Sequence, residues 1–405
     1  MAGRRPRIAV VGGGIGGLAA AVALRRSGVE AVVHEQAPRP TATGAGVAIG
    51  ANGHRVLRSL GIDRRLATTA VVPLRVDFRH WSTGRTVAGL GIGDSYEQRF
   101  GAPFRHLERS ALQDALLAAA DGIPVRFGAR CTGVEQTPDG AVARFADGSV
   151  AEADAVVGAD GIHSAVRNAV FGPDEAVFSG TSGYRALVPL DRVPDLPELA
   201  EPVLWLWVGP GRHVVVYPVA GGRLLNFLAV VPDPAWTVES WVTEGRTGDL
   251  LAAFDGWHPS LTRLLAAAER PGRWALYDRE PRRAWTRGRI TLLGDAAHPM
   301  LPHHGQGANQ ALEDAAVLAA LLAGAGPDDV PAALRRYELA RRPRTRAIQA
   351  GSRRNAACLQ LPDGPQATAR DADLATLPDR LAWIHGHDAL AELRAPAPGE
   401  AATRR

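Results

Sequence analysis

Six consecutive residues, Gly12-Gly13-Gly14-Ile15-Gly16-Gly17, follow directly on the apolar run Ile8–Val11. Few local folds accept glycine at that density beside a strand. Gly12 allows the chain to turn tightly, Gly14 lets another group approach the backbone, and Gly17 lets the following helix pack closely on the strand. Leu18 to Arg26 is an alanine-rich helix that Gly28 stops, and Ala31–His34 reads as a second strand ending at Glu35. A strand, glycine turn, helix, strand and terminal acid in this order form a dinucleotide cradle. The helix N-terminus faces a pyrophosphate, and Glu35 is placed to accept from an adenosine ribose.

Two further glycine motifs follow. Gly158-Ala159-Asp160-Gly161 precedes Ser164 and Arg167, and Gly294-Asp295-Ala296-Ala297-His298 precedes Gly305-Gln306-Gly307. Asp295, after the strand Ile290–Leu293, can bind ribityl or ribose hydroxyls. Gly307, Ala308 and Asn309 open a helix whose N–H groups suit the electron-rich edge of a reduced flavin. The third motif therefore selects FAD over NAD as the cradled group.

The remaining segments alternate between α/β and sheet-like patterns. Residues 41–53 read as a loop, His54–Leu60 as a helix, and Val71–Phe100 as strand-like with a turn at Gly84. Phe104–Leu107 is a short strand leading into the helix Arg109–Ala120, and four short strands follow at 124–127, 132–137, 141–145 and 155–157. Tyr184–Val231 alternates as an antiparallel sheet does. Helices are expected over Thr237–Phe254, Ser260–Ala268, Asn309–Leu322 and Pro331–Ala350, with an irregular end and a frayed tail from Ala395. The fold class is thus α/β with an α+β insertion. Residues 1–75, 101–175 and 276–345 form a discontinuous Rossmann-like FAD domain, 76–100 and 176–275 a mixed or antiparallel substrate sheet, and 346–405 a helical C-terminal segment.

Composition excludes several chemistries. No lysine occurs among the 46 cations, which removes Schiff-base catalysis and the phosphate-binding lysine of P-loop enzymes. Arginines are interspersed with acids, so the net charge of +4 gives no nucleic-acid stripe, though it favours anionic small molecules. Two separated cysteines, Cys131 and Cys358, fit a reducing cytoplasm rather than a disulfide framework. No run reaches the roughly 20 apolar residues of a membrane span, and the basic start makes a poor signal peptide.

The three motifs together resemble the single-component, class A flavoprotein aromatic hydroxylases, the group that includes para-hydroxybenzoate hydroxylase. Within that group the likeness is to the salicylate hydroxylase and 6-hydroxynicotinate 3-monooxygenase branch. It runs over residues 7–350, and Trp383-Ile384-His385-Gly386-His387-Asp388 resembles that branch's tail. The resemblance implies FAD contacts from Arg109, roles for Asp160 and Arg167 toward FAD and NAD(P)H, and a monomer or homodimer. It also implies hydroxylation of a small phenolic acid by NAD(P)H and molecular oxygen through a flavin hydroperoxide, with or without decarboxylation.

His213-Val-Val-Val-Tyr217-Pro218 sets His213 and Tyr217 on one face of a strand, and Pro302-His303-His304-Gly305 precedes the flavin-facing helix. The resemblance makes His213, Tyr217 and His303 pocket residues. A histidine titrating near neutrality is a suitable base for a phenol, whose anion is the better oxygen acceptor. Arg185 and His304 are candidates for holding the rest of the substrate, although His304 and His298 also suit purely structural positions. The 298/303/304 cluster lacks metal-ligand spacing. Ala48 stands where relatives acting on 6-hydroxynicotinate carry histidine, which counts against that substrate. Salicylate, another hydroxybenzoate or a larger phenolic intermediate stay open. Trp205-Leu-Trp207 hints at a flavin halogenase, but that chemistry needs a lysine; an FAD-dependent reductase leaves the HxxxYP and PHHG segments without a purpose.

Overall fold

In the computed structural model the described residues are 4–40, 45–234 and 243–394. Part of the expected loop (41–44), the start of the helix expected from Thr237, and the tail from Ala395 lie outside them.

The glycine-rich unit forms as its pattern requires. Strand Arg7–Val11 runs through the glycines into helix Ile15–Arg26, and Glu30–Glu35 returns parallel to the first strand with Val10 opposite Val33. On its other side the first strand pairs in parallel with Ala155–Gly158, which pairs in turn with Ile290–Leu292. Val125–Phe127 and Thr286–Arg287 close the two edges of this six-stranded sheet. Its central strands are buried on both faces, as parallel strands covered by helices must be. Val10, Val33, Val156 and Leu292 are all fully inaccessible. Helix Gly307–Leu322 packs on helix Ile15–Arg26 through alanines and Gly16, where an added Cβ would lie 2.7 Å from Leu293.

A second, seven-stranded sheet has the order Gly272–Asp278, Val177–Pro189, Leu224–Pro232, Arg212–Val219, Val203–Gly209, Arg75–His80 and Thr86–Gly91. All its pairings are antiparallel except that of Val203–Gly209 with Arg75–His80. One face of this sheet buries Trp205, Trp207, Phe227 and Val216 against helices Thr247–Ala253 and Pro259–Ala266. His213 and Tyr217 stand on the other face, by the two-residue period.

Several local expectations need correction. The segment expected as a loop at 41–53 contains strand Gly46–Ile49, paired antiparallel with Arg105–Glu108, and helix Ala51–Ser59 starts inside it. Its small residues mark a strand pressed against a neighbour: an added Cβ at Gly46 would lie 2.7 Å from both Tyr217 and Asn226. The strand-like stretch ends in a helix, Gly93–Phe100, which buries Tyr96 and Phe100. Strands Val150–Ala153 and Gly272–Asp278 carry too few alternating residues to stand out. The helix expected to stop at Ala350 runs from Val330 to Leu359, and short helices then fold residues 365–394 back onto the body.

Candidate functional site

Both sheets and the C-terminal segment wall one cavity of about 570 Å³. From the nucleotide side it is lined by Gly14, Arg109, Asp295, Gly307 and Ala308. From the second sheet it is lined by Arg185, His213, Tyr217 and Asn226, with His303 and His304 between them. Segments far apart in sequence therefore meet at one place.

The glycine turn has the features of a phosphate cradle. Gly12 sits at φ 111°, where an added Cβ would run into the Ala159 carbonyl, and Gly17 is pressed as closely on Gly12. Around Gly14 no described residue lies within 4 Å of an added Cβ, so its backbone is open to approach. Among the described residues no side chain caps the helix starting at Ile15, which leaves its first N–H groups for an anion. Glu35 braces the turn itself, accepting from Gly13 N at 2.6 Å and Ala37 N at 2.7 Å. Each oxygen keeps a lone pair for a ribose hydroxyl.

Asp160 is placed differently. It is outside the cavity wall, and its carboxylate accepts from Ser164 Oγ at 2.5 Å and Val166 N at 3.1 Å. Burial nonetheless pushes its pKa up. Arg167 is fully buried, bonded to the Ile162 carbonyl at 2.6 Å, the Ala296 carbonyl at 3.2 Å and Asp174 at 3.1 Å. This arginine joins the second glycine motif to the third and presents no charge to a nicotinamide.

Asp295 opens into the cavity and accepts no protein hydrogen bond among the described residues. Its surroundings push its pKa up while the nearby Arg109 charge opposes that. The Arg109 guanidinium likewise has no protein acceptor among the described residues. Gly305, left-handed at φ 61°, turns the chain into helix Gly307–Leu322, whose first turn holds no acid and no side-chain cap. Asn309 is fully buried, and its side chain is used up: Gly50 N donates to Oδ1 at 3.0 Å, and Nδ2 donates to the carbonyls of Ala48 at 3.0 Å and Gly305 at 2.9 Å. Only its backbone N–H, with those of Gly307 and Ala308, is left for a ligand. An open glycine backbone, two uncapped helix starts, an unpaired carboxylate and an unpaired arginine around one cavity fit an extended FAD.

On the substrate side, His213 is 1% exposed, and burial with the neighbouring His303 holds it well below 6.5. The expectation of a histidine titrating near neutrality is thereby corrected. The His303 ring meets His213 edge-on at 5.1 Å and is held at about 4, chiefly by burial. Tyr217 stacks on His106, and burial raises its pKa. Arg185 lies over Trp274 at 4.2 Å, and burial lowers it to about 10, still a cation at neutral pH. An added Cβ at Gly351 would touch His304 Nε2 at 2.8 Å, so that ring leans on helix Val330–Leu359. His298 is bonded to Asp314 at 2.6 Å behind the cavity.

Three contributors were not foreseen. Asn226, whose Oδ1 accepts from Gly46 N at 2.7 Å, shows in sequence only as one polar residue in the apolar strand Leu224–Pro232, opposite Tyr217. His385 Nδ1 meets Tyr96 Oη at 2.8 Å and closes the far end. Gln360 reaches His213 Nδ1 at 3.2 Å; its position after a long helix gave no signal at all.

Comparison with known proteins agrees with this geometry. The family described as FAD binding domain matches residues 5–352. A 3-amino-4-hydroxybenzoate 2-monooxygenase of Streptomyces platensis is 46% identical, covering 95% of this chain and 97% of its own. A 6-hydroxynicotinate 3-monooxygenase of Bordetella bronchiseptica is 36% identical over 87% of this chain and 91% of its own. A solved salicylate hydroxylase substrate complex superposes with a TM-score of 0.82 at 30% identity, covering 98% of this chain and 99% of the other. The chain belongs to the FAD binding domain family, and FAD is its cofactor.

Proposed function

We propose that this FAD-dependent monooxygenase hydroxylates a small amino- or hydroxybenzoate of the 3-amino-4-hydroxybenzoate type, with NAD(P)H and molecular oxygen as co-substrates. One observation carries the reading: flavin-suited groups (Asp295, Arg109, the Gly307 helix start) and phenol-suited groups (His213, Tyr217, His303) line the same cavity. The likeness to an enzyme named for 3-amino-4-hydroxybenzoate supports the substrate class. Ala48, at the cavity wall, still speaks against 6-hydroxynicotinate.

Gly12, Gly14 and Gly17 shape the turn for the pyrophosphate, and Glu35 holds the ribose. Asp295 and Arg109 hold the central part of FAD, and the N–H groups of Gly307, Ala308 and Asn309 meet its ring system. FAD, when bound, supplies the redox chemistry that activates oxygen. The protein's share is to bind the ring, set its ionisation and keep water out. His213, Tyr217 and His303 surround the ring hydroxyl, and Arg185 is the cation for the carboxylate. Leu204, Leu206, Val215 and Leu228 supply apolar wall. Asp160 acts through Ser164 and Arg167, positioning the second motif. The thiols Cys131 and Cys358 are both free, which supports a reducing, cytoplasmic setting. Among the described residues no helix is long and apolar enough to cross a membrane.

The test is aerobic turnover of the purified yellow protein with NADH or NADPH and a panel of amino- and hydroxybenzoates. Substrate-dependent NAD(P)H oxidation with one oxygen added to the ring is the expected result. Product formed without oxygen would overturn it in favour of a dehydrogenase.

A further inference from the structure

The side chain of Gln360 meets His213, a histidine of the second sheet that lines the cavity. Gln360 caps helix Val330–Leu359, and its carbonyl accepts from Gly211 N at 2.9 Å in the turn that leads into the His213 strand. Its backbone is therefore tied to the same hairpin as the imidazole. Its amide Nε2 lies 3.2 Å from His213 Nδ1. An amide N–H can only donate; in this orientation of the amide Nδ1 offers its lone pair and the imidazole proton sits on Nε2. Since Nδ1 is occupied, Nε2 is the ring nitrogen left for a ligand in the cavity.

We propose that Gln360 is a positioning residue that fixes His213 as the Nε2–H tautomer, so that His213 donates a hydrogen bond to the substrate's phenolate oxygen instead of removing the phenol proton. This rests on the hydroxybenzoate reading above and deepens it: the site selects the ionised form of the phenol. Three features of the cavity agree. Arg185 and Arg109 line it as cations, and the uncapped start of helix Gly307–Leu322 adds positive potential. The titratable group bearing on His213 is His303; no carboxylate among the described residues acts on it to stabilise an imidazolium. A phenol near its ordinary value of about 10 does not hand its proton to an imidazole that burial holds well below 6.5. An oxyanion, in contrast, gains from a buried neutral donor at no cost in charge.

The tautomer can be read directly. In the FAD-loaded enzyme labelled with ¹⁵N in the histidine rings, long-range ¹H–¹⁵N spectra should show His213 with a bare Nδ1 and a protonated Nε2, the signals being those lost in His213→Phe. In Gln360→Glu the carboxylate accepts, so the proton should move to Nδ1. A protonated Nδ1 in the unaltered enzyme, the outcome if the amide presents Oε1, overturns the proposal. Binding is the second readout, followed by perturbation of the flavin absorbance with 4-hydroxybenzoates of differing acidity. Affinity should rise about tenfold per pH unit up to each compound's own pKa. Gln360→Glu should flatten that rise, while Gln360→Met, which keeps the volume, shows by FAD retention whether the fold survives. A pH dependence that ignores the compound's acidity, or that Gln360→Glu leaves unchanged, overturns the donor role. If no phenol binds, the substrate reading fails, and the ring spectra still decide the tautomer.

Discussion

The Tyr217 ring lies stacked on the His106 imidazole, with centroids 4.3 Å apart and planes 29° from parallel. His106 is wholly buried on strand Arg105–Glu108, neither ring nitrogen has a partner among the described residues, and burial lowers its pKa to about 3. The imidazole therefore serves as a flat apolar support for the tyrosine, and its polarity is a cost. His106→Phe keeps the disc and loses no hydrogen bond, so stability should change by less than about 1.5 kcal/mol. His106→Ala leaves a void beneath Tyr217 and should cost about 3 kcal/mol or more. Urea unfolding of both variants separates the cases, and equal losses would mean that the ring nitrogens matter after all.

Gly12 and Gly14 should fail differently. Gly12→Ala forces a side chain into the Ala159 carbonyl at a left-handed φ, so it should lower the melting temperature of the FAD-free protein. Gly14→Ala meets no atom of the described residues within 4 Å, so the free protein should melt as before. Its methyl instead occupies the approach of the pyrophosphate, and FAD affinity should fall about tenfold or more, the size of roughly 1.4 kcal/mol. Calorimetry with and without FAD checks both variants.

The nucleotide cradle was legible because its signals are local: a strand, a tight turn and a helix each announce themselves within ten residues. Asp295 and the Gly307 helix start could be read for the same reason. The partners of His213 and Tyr217 could not. His106, Asn226 and Gln360 reach those rings across 111, 9 and 147 positions, through the packing of one strand pair on another sheet, a hairpin and a helix end, and no periodicity encodes such meetings. Strand Gly46–Ile49 was hidden because glycine and alanine, which read as loop, are what close packing on Tyr217 demands. His213 was recognised as a pocket residue, yet its burial and therefore its neutrality depend on the surrounding sheet.

Asp295 provides a clean probe of the cofactor site, since no protein donor among the described residues depends on its carboxylate. Asp295→Ala should leave the fold intact. It should also weaken FAD by about 1.5–3 kcal/mol, as expected for a lost hydrogen bond to a charged group. Fluorescence titration of the apoprotein with FAD measures the loss; retention at full strength would place the cofactor's hydroxyls elsewhere.

Behind the cavity, helix Gly307–Leu322 is anchored by charge. Arg341 is 1% exposed and binds Glu313 at 2.6 Å and Asp314 at 2.7 Å, while Arg344 adds a 2.8 Å contact to Glu313 and His298 a 2.6 Å contact to Asp314. These contacts hold both carboxylates at about 2 against the burial that opposes ionisation. In the unfolded chain the same groups titrate near about 4. A folded-state value below the unfolded one contributes stability that is complete above pH about 4 and is lost as pH falls toward about 2. Arg341→Met removes the central cation and strands two buried carboxylates, so it should cost about 3–5 kcal/mol at neutral pH. As pH falls the stranded carboxylates of the variant take up protons well before those of the parent, so the gap between variant and parent should narrow. Urea midpoints of the two proteins measured from pH 7 to pH 3 should converge. Parallel curves would mean that Arg341 contributes by packing and not by its charge.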